Sequence, residues 1–388
     1  MPTSAPGGAV CASGSGTLCG VITTEPIPAD VMAVREATSC MLDTNLVEAI
    51  SPLNPTNPEN VKNVEAIFTE TQFDDFYPLC PDSKPWGCGR DKAYTYVNFL
   101  KAIGKYPSIC KFAATCPKIL ANMFAHFQQE TAGLYYLREI GEPSGYCSNG
   151  MYPCTAGQKY YGRGAKQLSW NYNYGAFSNA MYGDPQVLLD DPDRVATTWL
   201  NFAATMWFYV TPQPPKPSML EVVDGSWVPN AADTAANRLP GLGASIMILN
   251  GAIECGPNPG NPTAADNRGK YYKDFAGRLN VDINGEKLDC KNMDAFSQHG
   301  TGGSLKIYWD NTMNCKLVSW QTAFSALVEG DYARCQGKCS GGSTGGSTGG
   351  NTGGTTESTT GGSSGGSTGG KLNMNTPRNT FENDLLFL

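Results

Sequence analysis

Histidine is scarce in this chain. Only His126 and His299 occur among 388 residues, which excludes a histidine-rich metal centre. No paired Cys-x-x-Cys set of zinc type is present, so the cysteines do not read as a zinc framework. No apolar run approaches the length of a membrane span. Positive charge is in deficit: 28 basic side chains stand against 35 acidic ones, a net charge of −7. With no basic patch, nucleic acid is excluded as a main partner. Every Asn-x-Ser/Thr triplet has proline in the middle, so N-glycosylation is not expected. Strand signals are few and short, which leaves a mostly helical, loop-rich chain.

Cysteine, by contrast, is plentiful. Fourteen cysteines spread along the chain fit disulfides in a secreted protein better than a reducing cytosol. The first residues, Met1-Pro2-Thr3-Ser4-Ala5-Pro6, contain no apolar signal region. A signal is therefore expected to have been removed, or to be missing from the start of this sequence.

Composition divides the chain into five parts. Residues 1–62 are rich in Gly, Ser, Pro and Thr. A short helix fits Leu42 to Ile50, and the rest of that part reads as loop. Globular patterning begins near Val64. Helices are expected around Gln72–Phe76, Tyr94–Leu100, Phe202–Val210 and Ile246–Ile253. Residues 293–340 form a small cysteine-bearing extension, in which Val318 to Val328 has helical apolar spacing. Residues 341–370 are Gly/Ser/Thr repeats that cannot bury apolar surface. Residues 371–388 form a tail ending Leu385-Leu386-Phe387-Leu388.

Two carboxylates stand out in the charge-poor stretch His126 to Glu139. Glu130 and Glu139 are nine positions apart (139 − 130). On one continuous helix they would lie on opposite faces, about 13 Å apart along the axis, and could not act on one bond. The sequence breaks that helix. Pro117 suits a first helical position, and Ile119, Leu120, Met123, Phe124 and Phe127 follow at helical spacing. Gly133 offers a stop. A buried helix from about Pro117 to about Ala132 then carries Glu130 near its end, with Glu139 on the returning loop. Met123 and Phe127 share a face with Glu130, and apolar surroundings raise a carboxyl pKa, as a general acid requires. The plain alternative is two ordinary surface carboxylates.

Further motifs follow in order. Cys147 to Cys154 precedes Tyr160-Tyr161-Gly162-Arg163-Gly164-Ala165-Lys166-Gln167-Leu168-Ser169-Trp170-Asn171-Tyr172-Asn173. Then come Gln213-Pro214-Pro215-Lys216-Pro217, Asn237-Arg238-Leu239-Pro240-Gly241 and Asn250-Gly251-Ala252-Ile253-Glu254-Cys255. From about Val64 to Cys290 this series resembles the family 19 chitinases, in particular their shorter-loop members. The resemblance implies a mainly helical, lysozyme-like catalytic domain over residues 63–292, with two lobes and a substrate cleft. It implies hydrolysis of β-1,4-linked N-acetylglucosamine by inversion, with no metal or organic cofactor. Chitin or its oligomers are the expected partner, and the chain is expected to be a monomer.

By position, Glu130 matches the general acid, Glu139 the general base, and Ser169 the residue that helps hold the attacking water. Gln167, Tyr172, Asn173, Lys216 and Asn250 match sugar-binding residues. Tyr152 falls where the family often has tryptophan. Gln129 replaces a usual histidine and can bond to sugar without carrying charge. Arg238 and Glu254 match a charged pair that supports the base. Cys147 with Cys154, and Cys255 with Cys290, fall at paired positions. Tyr135 replaces a family cysteine, so Cys80, Cys88, Cys110 and Cys116 must pair differently. Ala165-Lys166 replaces Pro-Ile, and Trp170 a common histidine. Without the resemblance, Gln167 and Asn173 read as partners of buried backbone, Arg238 with Glu254 as a structural ion pair, and His126 as structural. The rival readings are an inactive chitin-binding lectin and a peptidoglycan hydrolase with a similar cleft.

Overall fold

The computed structural model describes residues 11–12, 25–38, 40–79, 89–141, 145–296 and 305–337. The repeats at 341–370, the tail at 371–388, and Cys19, Cys80, Cys88 and Cys339 lie outside the described residues. In chain order the helices begin with α1 (Ala29–Thr38), α2 (Thr44–Glu48), α3 (Glu59–Glu65), α4 (Glu70–Phe76), α5 (Tyr96–Lys105), α6 (Cys116–Thr131) and α7 (Asn171–Tyr182). Then come α8 (Gln186–Asp190), α9 (Arg194–Thr197), α10 (Leu200–Val210), α11 (Met219–Asp224), α12 (Ala231–Ala235), α13 (Leu242–Glu254), α14 (Pro262–Arg278) and α15 (Asp331–Cys335). The strands are β1 (Cys11–Ala12), β2 (Met41–Leu42), β3 (Tyr308–Asp310), β4 (Lys316–Val318) and β5 (Phe324–Ser325). The molecule is mainly helical, as expected.

α6 organises the core. Proline stands in its first turn, and buried residues occur on almost every face. A helix buried on almost every side belongs in the middle of a domain. It ends because Ala132 turns left-handed at φ 51°, followed by Gly133 at φ 77°. α14 packs along it, and α5 packs on α10. Phe68, Phe73, Phe99, Phe124 and Phe202 interlock between these helices, in edge-on, tilted and stacked pairs. Thr69 caps α4 reciprocally with Gln72, and Thr95 caps α5, which fixes where both helices start.

Two expectations change. The N-terminal part contributes more than one short helix. Leu42, Val47, Ile50 and Val61 join the main core, so packing crosses the expected boundary at 62/63. Lys105 is buried there, its Nζ donating to the Leu42 carbonyl at 2.8 Å, and burial pushes its pKa down to about 8. α1 packs elsewhere: Val31 joins Ile307, Tyr308, Trp309 and Val318 in a second cluster. The helix expected over 318–328 does not form. That stretch supplies the end of β4 and all of β5, both part of a sheet ordered β4-β3-β5. Between them, Thr322 Oγ1 donates to the Trp309 carbonyl at 2.7 Å and accepts from the Phe324 N–H at 3.1 Å. Such side-chain bonds offer the backbone an alternative to a helix.

Four disulfides staple the described residues: Cys110–Cys116, Cys147–Cys154, Cys255–Cys290 and Cys315–Cys335. Cys40 is also disulfide-bonded. The two pairs that the family resemblance implied are both formed.

Candidate active site

The C-terminal turn of α6 delivers Glu130 into a small pocket lined by Met123, Phe127, Lys166 and Phe208. Glu130 is 6% exposed. Arg268 of α14 grips it, Nη2 donating to Glu130 Oε1. The same guanidinium grips Glu254, with Nε to Oε2 and Nη2 to Oε1 both at 2.8 Å. One cation thus serves two buried carboxylates. Desolvation raises the Glu130 pKa; Arg268 opposes it, Glu254 reinforces it, and the net shift is upward. The ion pair favours a charged Glu130 and burial favours a neutral one. Burial prevails, because a second carboxylate already claims much of the guanidinium.

The network continues behind the acid. Arg268 Nη1 lies 3.0 Å from His126 Nδ1, and His126 Nε2 lies 3.0 Å from Ser245 Oγ. Guanidinium only donates, so Nδ1 accepts and Nε2 carries the proton. Burial first, then Arg268 and Lys166, holds the His126 pKa well below its ordinary value. His126 is therefore a neutral spacer. Asn122 Nδ2 donates to Ser245 Oγ, and Tyr209 Oη to Asn122 Oδ1, each at 3.0 Å.

Glu139 sits on the returning loop, half-buried. Its Oε2 accepts from the Gly162 N–H and its own N–H donates to the Gly162 carbonyl, both at 2.9 Å. Tyr146 Oη donates to Oε1 at 2.7 Å. The 160–170 loop therefore aims the second carboxylate. That loop is braced in turn. Arg138 and Arg163 both hold Asp193, Nε to Oδ1 at 2.8 and 3.1 Å. Gly164 has φ 77°, and a Cβ there would meet the Asn201 carbonyl oxygen at 2.5 Å, so only glycine fits.

The remaining expected residues fall as follows. Ser169 is buried in this loop, and its carbonyl accepts from Asn173 Nδ2 at 3.0 Å. Gln167 Nε2 donates to the Gly164 carbonyl at 3.0 Å, so its amide nitrogen supports backbone. Tyr172 stacks on Trp170 at 5.9 Å, and Trp170 meets Tyr146 edge-on at 5.2 Å. Lys216 Nζ donates to the Ile248 carbonyl at 3.0 Å. Asn250 breaks helical geometry within α13, at φ −145° and ψ 32°, and its Nδ2 donates to Glu254 Oε1 at 2.9 Å. Gln129 is buried beside the acid. Tyr152 is buried too, its hydroxyl donating to the Ala323 carbonyl at 3.0 Å.

One expected pairing is not formed. Arg238 Nε donates to Asp233 Oδ1 at 2.8 Å, and Glu254 is held by Arg268 instead. Asp233 lies only five positions before Arg238 and reaches it across the end of α12. Sequence reasoning missed Arg268. Its signal was an arginine in the apolar stripe of α14, with Ala264, Ala265, Tyr272 and Phe275 on the same buried face.

A family model described as chitinase class I matches residues 67–290. The chain is 40% identical over 249 residues to an endochitinase of Carica papaya, which spans 60% of this chain and 99% of that one. It is 38% identical over 228 residues to endochitinase 2 of Solanum tuberosum, covering 54% and 69% of the two chains. A solved family 19, class IV chitinase of Zea mays is 30% identical, with a TM-score of 0.46, covering 59% of this chain and all of that one.

Proposed function

The chain belongs to the class I chitinase family, glycoside hydrolase family 19, and from that premise we propose a secreted endochitinase that cleaves β-1,4-linked N-acetylglucosamine polymers with inversion. The observation that carries this reading is the unlike setting of two carboxylates. Glu130 is buried with its pKa raised, and Glu139 is half-exposed and held by three hydrogen bonds on a separate loop. Glu130 donates its proton to the leaving oxygen. Arg268 and Glu254 hold that carboxyl in place and accept its change of charge. Glu139 takes a proton from water on the other side of the sugar, and Ser169 helps to fix that water. Inversion needs roughly 6.5–9.5 Å between the carboxyl groups to admit water. Gln129, Gln167, Tyr172, Asn173, Lys216 and Asn250 supply amide, ring and ammonium contacts suited to an N-acetylated sugar.

Secretion fits the disulfides. No helix among the described residues is long and apolar enough to cross a membrane. The deciding experiment measures reducing-end release from soluble chitin oligomers by the wild type and by Glu130→Gln. The variant is expected to lose roughly 10²–10⁴-fold in turnover while still binding oligomers. Retention of a tenth of the activity would refute the role of Glu130. A wild type that binds but never cleaves would instead be a lectin.

A further inference from the structure

His126 lies one helical turn before Glu130 on α6 and is 4% exposed. Its two ring nitrogens are fixed from opposite sides. Arg268 Nη1, 3.0 Å from Nδ1, can only donate. Ser245 Oγ stands 3.0 Å from Nε2. That hydroxyl has one proton, and it goes to the Leu242 carbonyl at 2.9 Å. Ser245 Oγ must therefore accept from His126, as it does from Asn122 Nδ2 at 3.0 Å. Tyr209 Oη fixes Asn122 in turn by donating to its Oδ1 at 3.0 Å. The direction of every bond is thus set, from Tyr209 of α10 to Arg268 of α14.

Resting on the chitinase reading above, we propose that His126 is a positioning residue for the acid: by occupying Arg268 Nη1, it keeps that arm of the guanidinium off Glu130. Arg268 Nε and Nη2 hold Glu254, Nη2 also reaches Glu130, and Nη1 is left for His126. Were Nη1 free, the guanidinium could turn it to Glu130 and form the two-pronged pair that arginine and carboxylates favour. Such a pair stabilises the charged carboxylate and would pull down the raised pKa of Glu130 on which proton donation rests. The acceptor at Nη1 has to be uncharged. A third carboxylate would add a negative charge to the cluster, and a protonated imidazole would set an N–H against Arg268. Burial, then Arg268 and Lys166, keeps the ring neutral. The charged groups around it are Arg268 from α14, Glu130 from its own helix, Glu254 from α13 and Lys166 from the 160–170 loop, with Lys216 beyond Lys166.

The test uses the full chain and soluble chitin oligomers. His126→Leu fills the site but offers no acceptor. The upper limb of its kcat/KM profile should move down by about one pH unit, with kcat reduced. KM should change little, since both ring nitrogens are engaged by protein. His126→Gln supplies one acceptor and one donor and should restore the limb, which a loss of packing alone would not explain. Ser245→Ala, which frees the imidazole from its fixed orientation, should move the limb in the same direction and stands in for the leucine variant if that does not fold. The chain has two histidines, so ring nitrogen-15 NMR, with His299→Gln to assign the signals, reads His126 directly. One Nε2–H tautomer that does not titrate between pH 5 and 8 is expected. A ring that titrates there, or an upper limb unmoved in both His126→Leu and Ser245→Ala with an active wild type, would overturn the positioning role alone. A wild type that cleaves no oligomer would overturn the chitinase reading as well.

Discussion

Lys166 is the residue that most distinguishes this acid's surroundings. It stands where the related motif has isoleucine, and its ammonium lies 3.7 Å above the centre of the Phe208 ring, in the pocket of Glu130. Burial lowers its pKa to about 8, and its charge pulls the Glu130 pKa down. On the proposed mechanism activity requires protonated Glu130, so it should fall as pH rises through the acid's pKa. Replacing Lys166 by Met removes a cation, raises that pKa further, and should move the upper limb of the kcat/KM profile to higher pH. A limb that stays or moves down would contradict this. The same burial costs stability. Between pH 8 and its ordinary 10.5, the unfolded chain holds the lysine proton and the folded one does not, so stability rises with pH there. Lys166→Met should therefore melt higher below about pH 8, with the advantage shrinking toward pH 10.5. At this scale the apolar setting of Glu130 was legible from Met123 and Phe127 on its helical face. Arg268 was not, because a charge in an apolar stripe means something only once its two carboxylate partners are known.

At the scale of elements, the 160–170 loop is the working part. It anchors Glu139 through Gly162, carries Ser169, and braces itself through Arg163 and Asp193. Gly164→Ala forces a side chain onto the Asn201 carbonyl at φ 77°. It should destabilise the protein by about 1–3 kcal/mol and lower kcat more than it raises KM, because Glu139 loses its aim. Wild-type melting and kinetics in the variant would show that the loop tolerates displacement. The elements themselves were readable where patterns were long: α6 with its proline start and glycine stop, α10, and α13. The stretch 318–328 misled because a few apolar residues at three- and four-residue spacing also suit strand–turn–strand. Only the bonds of Thr322 to Trp309 and Phe324 decide between them.

At the scale of the whole molecule, the chain's two flanks meet. α1 packs on the extension through Val31, and Arg35 pairs with Glu25 at 2.7 Å, whose carboxylate accepts from the Gly330 N–H. No local pattern announces a contact spanning some 300 residues, and the Gly, Ser and Pro around α1 masked it. The repeats beyond Ser340 differ in kind: they hold no apolar residues with which to pack. Removing residues 340–388 should leave turnover of soluble oligomers unchanged, and a large drop would mean that the tail serves the cleft.

The measurement that tests the account most directly is proton NMR of the first products released from a chitin oligomer. If Glu130 gives the proton and Glu139 activates water, the new reducing end must appear as the α anomer. An initial product that is predominantly β would mean attack by Glu139 or by the sugar's own N-acetyl group. It would contradict the mechanism even in an active chitinase.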